Sequence, residues 1–240
     1  MTRYIKKIGI ASFIFARGGS QGIKNKNIIN FNGKHLIGWA IEQALEIKEI
    51  DKVIVSTDSK KIAKISQSYG AEIPFIRPKY LASDKSPELL SWKHALRNFK
   101  QKYKDLPEIF ISLPCTSPLR KKIDVKRCIS LFKKSNADLV VCIAETNRNP
   151  YFNMVKINKS GYLNLAINNK KKIHRRQDAN KIYDMTTIAY VANPNYILNA
   201  KHIFDGKVKS ILIPYERSID IDNMHDLNIA KYLHKKNVKK

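Results

Sequence analysis

No apolar run in this sequence approaches the roughly 20 residues of a membrane-spanning helix, which excludes a helical membrane span. Cysteine is sparse. Cys115, Cys128 and Cys142 are the three present, and their spacing fits neither a zinc site nor a paired disulfide framework, so they are expected to be ordinary reduced thiols. Acidic side chains are scarce: 20 Asp and Glu stand against 45 Lys and Arg, a formal net charge of +25. That balance favours polyanionic partners, whether nucleic acid or small anionic substrates. The lysines are scattered, with short clusters at "KKIDVKR", "NNKKKIHRR" and "HKKNVKK". A dispersed charge reads mainly as solvated surface, because a nucleic-acid binder needs a concentrated basic face with stacking aromatics. Internal repeats and low-complexity linkers are absent as well.

What is present suits a folded α/β enzyme. Hydrophobic residues make up 43% of 240 residues, enough to bury a core within a single domain, 1–240. The opening "MTRYIKKIGIASFIF" is basic and then apolar like a signal peptide, but "ARGGSQG" is a poor cleavage site and the apolar part reads as a first strand. A cytoplasmic protein is the expectation. β-Branched runs recur at 8–15, 52–57, 108–113 and 137–144, as in strands covered on both faces. Helical patterns lie between them. "LIGWAIEQALEI" puts Ile37, Ala40, Ile41, Ala44 and Leu45 on one face, and "KKIAKISQSYG" stops at Gly70. "ELLSWKHALRNF" and "VKRCISLFKK" follow. This alternation argues for a three-layer α/β fold around a mostly parallel sheet. "YFNMVKINKSGYLNLAI" reads as two strands around a Lys-Ser-Gly turn, so 146–182 is expected to be an inserted hairpin arm. The sheet resumes at 186–192 and 208–214, and "MHDLNIAKYLHKK" closes the pattern as a helix.

Chemistry is expected at the carboxyl ends of the strands. "ARGGSQGIKNKN" (16–27) sits there after the first strand. Its glycines let backbone N–H groups approach phosphate oxygens, and Arg17, Lys24 and Lys26 supply charge. The spacing is neither G-x-x-x-x-G-K-[ST] nor G-x-G-x-x-G, so glycines alone fit a surface loop equally well. In "SIDID", Asp220 and Asp222 are two residues apart. On an extended strand they share one face, and hard oxygen ligands of that kind suit Mg²⁺, although alone the pair reads more readily as solvated acids. His94, on a helix, reads as a packed or capping residue. Asp58 ends a strand and either caps the next helix or faces the active edge.

The whole string of motifs is more specific. "ARGGSQGIKNKN", "LIGWAIEQAL", "VIVSTDSKKIAKISQSYGAE", "RPKYLASDKSPELLSWKHAL", "LPCTSPLR", "NPYFNMV", "RRQDANKIYDMTTIAYV" and "RSIDIDNMHDLNIAKYL" resemble, in order, the acylneuraminate cytidylyltransferase family over about 8–233. The resemblance implies a Rossmann-like nucleotidyltransferase fold with a hairpin dimerisation arm, hence a homodimer. It implies transfer of CMP from CTP to the anomeric hydroxyl of a nonulosonic acid, with Mg²⁺ at Asp220 and Asp222. By the same resemblance Arg17 and Lys26 hold the triphosphate, with Ala16, Gly18 and Ser20 completing the cradle. Asn27, Arg77, Ala82, Ser83 and Asp84 meet cytosine or ribose, and Thr116, Ser117, Arg120, Arg175, Arg176 and Gln177 meet the sugar. Arg17, Lys26 and Arg176 are the catalytic set, while Arg120 reads equally as a structural ion-pair member.

Three departures bear on the sugar and the cradle. Gln21 stands where many relatives carry lysine, with Lys24 a candidate replacement. Pro114 stands where many carry a sugar-facing glutamine, and "MTT" (185–187) replaces "NGA" or "NGS". The alternatives are a related nucleotidyltransferase for another ulosonic acid, such as an eight-carbon one, a nucleotide-binding remnant without turnover, and a basic nucleic-acid binder.

Overall fold

In the computed structural model, which describes residues 7–20, 22–168, 173 and 175–238, the β-branched runs pair into one six-stranded sheet. It comprises β1 (Ile10–Phe15), β4 (Lys52–Ser56), β5 (Ile109–Ser112), β6 (Leu139–Glu145), β9 (Tyr183–Ala192) and β10 (Val208–Leu212), in the order β10-β6-β9-β5-β1-β4. β1 pairs in parallel with β4 and β5, and β10 with β6. β9 alone runs the other way, antiparallel to both β5 and β6. Two short strands, β2 (Asn30–Phe31) and β3 (Lys34–His35), form a separate ladder before α1 (Leu36–Leu45).

The period-2 alternation of β1 sets the layers. Ile10 and Ile14 face one core, shared with Ile37 and Ile41 of α1, Ile62 of α2 (Lys60–Ser68), Val125 and Ile129 of α4 (Lys122–Lys133) and Leu227 of α6 (Met224–Val238). Ala11 and Phe13 face the other, with Leu89, Trp92, Leu96 and Phe99 of α3 (Glu88–Tyr103) and Ile197 of α5 (Pro194–Asn199). Phe13 stacks on Phe110 at 5.0 Å between ring centres. Each such fully buried side chain contributes about 1.5–3 kcal/mol. Leu45 departs from the expected α1 face: it is exposed and covers Gly70, whose φ of +92° makes the expected stop after α2.

The expected arm contains β7 (Val155–Ile157) and β8 (Leu163–Leu165), an antiparallel pair outside the main sheet. Its turn needs Gly161 at φ +85°, and Asn158 Oδ1 accepts the N–H groups of Ser160 and Tyr162. Residues 169–172 and 174 of the expected arm, and Gln21, lie outside the described residues. The segment 218–222 is not a strand. It is a loop between a single 3₁₀ turn (Tyr215–Arg217) and α6, so "SIDID" places its carboxylates by loop contacts and not by strand alternation.

Candidate active site

β1, β4 and β5 end side by side, and the chain leaves them into loops that meet over one edge of the sheet. Ala16 carries β1 one residue further by donating its N–H to Ser56 O at 3.0 Å, and its side chain is fully buried. Ala16 therefore ends the sheet, and the basic loop begins at Arg17. Beyond it the basic loop is fixed on three sides. Gly18 N donates to Asp58 Oδ1 at 2.8 Å. Asn27 Nδ2 donates to Arg17 O at 3.0 Å. Lys26 Nζ donates to Ile221 O at 2.7 Å and pairs with Asp222 Oδ1 at 3.0 Å. Gly22 packs so closely on the Asp222 carbonyl that a Cβ there would lie 2.1 Å from its oxygen. Ser59, and not Asp58, caps α2, its hydroxyl accepting from Ile62 N. Asp58 is thus free to anchor the loop.

The loops enclose a cavity of about 260 Å³. Arg17, Ser20, Lys26 and Asn27 line it from the basic loop, Arg77, Ser83, Asp84 and Glu88 from the opposite wall, and Thr116 and Thr187 from the remaining side. Arg17 forms an ion pair with Asp84 across the opening, so that carboxylate meets the guanidinium and not an open base or ribose position. Ser83 Oγ donates to Tyr80 O at 3.3 Å. Arg77 is buried, donating from Nη1 to Ser91 Oγ at 3.2 Å, while its Nε and Nη2 have no partner among the described residues. Burial pulls its pKa down, and the charge of Asp58 opposes this. Lys24 is exposed and not part of the cavity wall.

Asp220 and Asp222 do converge on this edge, from their loop. Ile221 N donates to Thr116 O at 2.9 Å and holds that loop against the segment after β5. Burial raises the Asp220 pKa and the Asp222 charge adds to this, against the hydroxyls of Thr116 and Thr187 and the Lys26 ammonium. Asp220 Oδ1 is buried without a hydrogen-bond partner among the described residues. An orphaned carboxylate oxygen beside an exposed second carboxylate and a basic cradle is a donor set that fits Mg²⁺, an ion commonly held by one or two carboxylates plus substrate phosphates. Among the described residues no group of three or more His, Cys, Asp or Glu side chains gathers to hold a metal by itself.

The expected sugar residues separate. Thr116 lines the cavity, but Ser117 is fully buried and its hydroxyl is bonded to Thr187 at 2.6 Å. Arg120 is corrected to a framework role, and its partners are not acids. β6 and β9 lose register between Val141 and Cys142, and Arg120 Nε donates to Ile188 O in the irregular stretch of β9, Nη2 to Pro114 O and Nη1 to Gln43 Oε1. Burial pushes its pKa down to about 10. Bulges re-aim side chains beside active sites, and here Thr187 is turned into the cavity. Arg176 and Gln177 line a second pocket, of about 380 Å³, with Glu145, Thr146, Asn149 and Tyr183. Arg176 Nη2 donates to Thr146 O, and Arg175 pairs with Asp178 at 3.2 Å on the exposed surface. Tyr183 and Thr187 are four residues apart on β9, so the two pockets are separated by about 14 Å along the strand. His94 packs edge-on against Phe75, with Nε2 facing the Asn98 amide at 3.1 Å, as a packed histidine does.

The signals for what was missed were weak ones. Glu88 and Thr187 are single residues of ordinary type, and only the fold brings them to the cavity. Asp58, open in the sequence between a cap and the active edge, stands beside a better cap in Ser59, and the structure puts its carboxylate on Gly18 N.

Comparison with known proteins gives the family and the fold. A family model described as cytidylyltransferase matches residues 11–237. A CMP-N,N'-diacetyllegionaminic acid synthase of Campylobacter jejuni is 34% identical over 221 residues, covering 92% of each chain. An N-acylneuraminate cytidylyltransferase of Escherichia coli is 30% identical over 221 residues, 92% of this chain and 51% of that one. In structure, a CMP:2-keto-3-deoxy-manno-octonic acid synthetase complexed with CTP superposes with a TM-score of 0.73 at 14% identity, covering 95% of this chain and 99% of that one. The chain belongs to the cytidylyltransferase family.

Proposed function

We propose that the protein transfers CMP from CTP to the anomeric hydroxyl of a sialic-acid-like nonulosonic acid, releasing pyrophosphate. The observation that carries the reading is the cavity itself, where Arg17 and Lys26 face Arg77 across the opening, and where Lys26, Thr116 and Thr187 of its lining also interact with the Asp220 carboxylate. Arg17 and Lys26 bind the triphosphate, exchanging their ion pairs with Asp84 and Asp222 for phosphate oxygens. They offset the charge that builds on the leaving pyrophosphate. Gly18 and Ser20 complete the cradle, and Asn27, Arg77 and Ser83 face the nucleoside. Thr116 faces the acceptor from the cavity, and Arg176 and Gln177 supply donors for its carboxylate and hydroxyls from the second pocket. Mg²⁺ would be held by Asp220 and Asp222, and it supplies charge neutralisation at the phosphates when bound.

Relatives named for legionaminic and N-acylneuraminic acids support a nonulosonic acceptor over an eight-carbon one. Val155, Ile157, Tyr162 and Leu163 leave the β7–β8 arm with an exposed apolar face, which supports a homodimer formed through the arm. Cys115, Cys128 and Cys142 are free and buried, which suits the cytoplasm.

The test is pyrophosphate release from CTP across a panel of eight- and nine-carbon ulosonic acids, with Mg²⁺ and with EDTA. Turnover with a nonulosonic acid, abolished by EDTA and restored by excess Mg²⁺, is the expected result. Turnover with none of the acids, together with RNA binding that survives physiological salt, would replace this reading with the nucleic-acid one.

A further inference from the structure

The loop that carries Asp220 and Asp222 is gripped at both ends by carboxylates that do not line the cavity. At its far end Asp226 Oδ2 accepts from Asp222 N at 3.0 Å and from Asn223 N at 3.1 Å, and Asn223 Oδ1 accepts from His225 N and Asp226 N. That end is an ordinary reciprocal cap of α6. The near end is different. Arg217 reaches away from the loop to α4, where its Nη2 donates to Asp124 Oδ1 at 2.7 Å. The pair is hidden: the Asp124 side chain is fully buried and that of Arg217 is 17% exposed. Asp124 Oδ2 accepts from Lys121 N at 3.0 Å. One oxygen of this carboxylate therefore closes the first turn of α4, and the other holds the entry to the 218–222 loop. The same turn grips the facing segments. Arg120 donates to Pro114 O, two residues before Thr116, and to Ile188 O, next to Thr187. Residues 120–124 thus anchor all three segments that bring Thr116, Thr187 and Asp220 to the cavity.

We infer that Asp124 and Arg217 are positioning residues, which fix the 218–222 loop so that the Asp220 and Asp222 carboxylates meet one divalent cation. The inference rests on the proposed Mg²⁺ site and adds what holds it in shape. Two arguments carry it. First, a buried ion pair is a poor source of net stability, because desolvation offsets the attraction. Its other use is to fix geometry, and Mg²⁺ demands near-ideal octahedral geometry from ligands held to within about 0.5 Å. Second, the other cation on this loop cannot be its permanent anchor. Lys26 pairs with Asp222, and on the proposed reaction it gives that pair up to the triphosphate. An anchor is then needed that stays in place when nucleotide binds. Arg217 meets that need, since it faces α4 and lies outside the cavity lining.

The experiment is calorimetric titration of the full chain with CTP, once with Mg²⁺ and once with EDTA, sugar omitted. The ratio of the two affinities is the gain that the metal gives. In the wild type that gain is expected to be at least about tenfold. In Arg217→Met it should fall to within about threefold of none, while the affinity in EDTA changes by less than about threefold. Arg217→Lys keeps a charged donor for Asp124 and should restore most of the gain. Asp124→Asn keeps an oxygen for Lys121 N and loses the charge opposite Arg217, so its gain should fall by at least about threefold; it decides the question where Arg217→Met does not fold. Arg127→Met is the control, because Arg127 donates from the same helix to Leu212 O and not to the loop. Amide hydrogen exchange, measured without metal or nucleotide, is the second readout: the Ile221 N–H, held by Thr116 O, should exchange at least about tenfold faster in Arg217→Met. A wild-type gain in the folded Arg217 or Asp124 variants, an equal loss in Arg127→Met, an equal loss of affinity with and without Mg²⁺, or unchanged Ile221 exchange overturns the inference and leaves the proposed function standing. A wild-type protein that binds CTP no more tightly with Mg²⁺ overturns the proposed metal site and this inference with it.

Discussion

Gly22→Ala isolates the contact that joins the two halves of the cavity. A Cβ at Gly22 would lie 2.1 Å from Asp222 O, where ordinary contact begins near 3.4 Å. The basic loop and the 218–223 loop must therefore separate by more than about 1 Å. That shift breaks the 2.7 Å bond from Lys26 to Ile221 O and opens the 3.0 Å pair with Asp222. A partly buried, charge-assisted hydrogen bond is worth about 1.5–3 kcal/mol. The ion pair adds at most about 1 kcal/mol, because the Asp222 side chain is 72% exposed. Together they amount to about 2–4 kcal/mol, a fall in Tm of about 4–16 °C for a chain of this size. Activity should suffer more, because a displacement of about 1 Å at a reacting centre costs on the order of 100-fold. The same substitution at Gly19, where a Cβ meets nothing within 4 Å, is the control. Gly18→Ala, with Ser59 Cβ at 3.2 Å, should fall between them. Steady-state pyrophosphate release and thermal unfolding on the three variants supply both readouts. Equal kcat/KM for Gly19→Ala and Gly22→Ala would refute the argument that this contact sets the cradle.

Three further outcomes follow from the same geometry. CTP at 100 times its Kd should add about 2.7 kcal/mol of stability by mass action, seen as a rise in Tm that ATP and GTP do not give; equal protection by ATP would count against the proposed cytosine assignment of Asn27, Arg77 and Ser83. Asp58→Ala frees Gly18 N, and should lower kcat/KM by about tenfold while Asp58→Asn, which keeps an acceptor, loses less; unchanged kinetics in Asp58→Ala would leave the loop anchored by other contacts. His234 packs against Trp39 at 4.5 Å and Phe31 at 5.2 Å, and burial lowers its pKa below 6.5. Its stability contribution is therefore full above pH 6.5 and lost as pH falls through the folded pKa, so Tm of the wild type should drop from pH 7.5 to 5.5 more steeply than that of His234→Gln, and parallel slopes would count against it.

The fold was legible because its strands are buried on both faces. A continuous run such as "VIVS" or "FISL" needs no tertiary information to be placed in the centre of a sheet. What the pattern did not carry was direction. β9 is as β-branched as its neighbours, yet it runs antiparallel between β5 and β6, because the chain returns through the hairpin arm and not through a crossover helix. The irregular pairing of β9 at Thr187–Ala189 follows from the same placement, and no residue type announces it. Arg120, open in the sequence between a sugar contact and a structural residue, is buried with its guanidinium on Ile188 O of that irregular stretch, on Pro114 O and on Gln43 Oε1, partners that no local pattern announces.

The site was legible in proportion to how local its chemistry is. Arg17, Ser20, Lys26 and Asn27 lie within one loop, and their order along the chain already reports a cradle. The acids at 220 and 222 also belong together, but for a different reason than strand spacing. Ile221 N is tied to Thr116 O, and Lys26 reaches 195 residues along the chain to Ile221 O. The carboxylates are thereby brought to the cavity by a loop that the cradle itself holds. On the proposed function, coupling of that kind would make phosphate binding and metal binding one structural unit. A triphosphate that drew Lys26 toward it would release Asp222 from its ion pair, so the second carboxylate would become available when the anion arrives. Substitutions at Lys26 should then weaken metal dependence and nucleotide affinity together, and a Lys26→Ala protein whose Mg²⁺ requirement is unchanged while CTP affinity falls would separate the two.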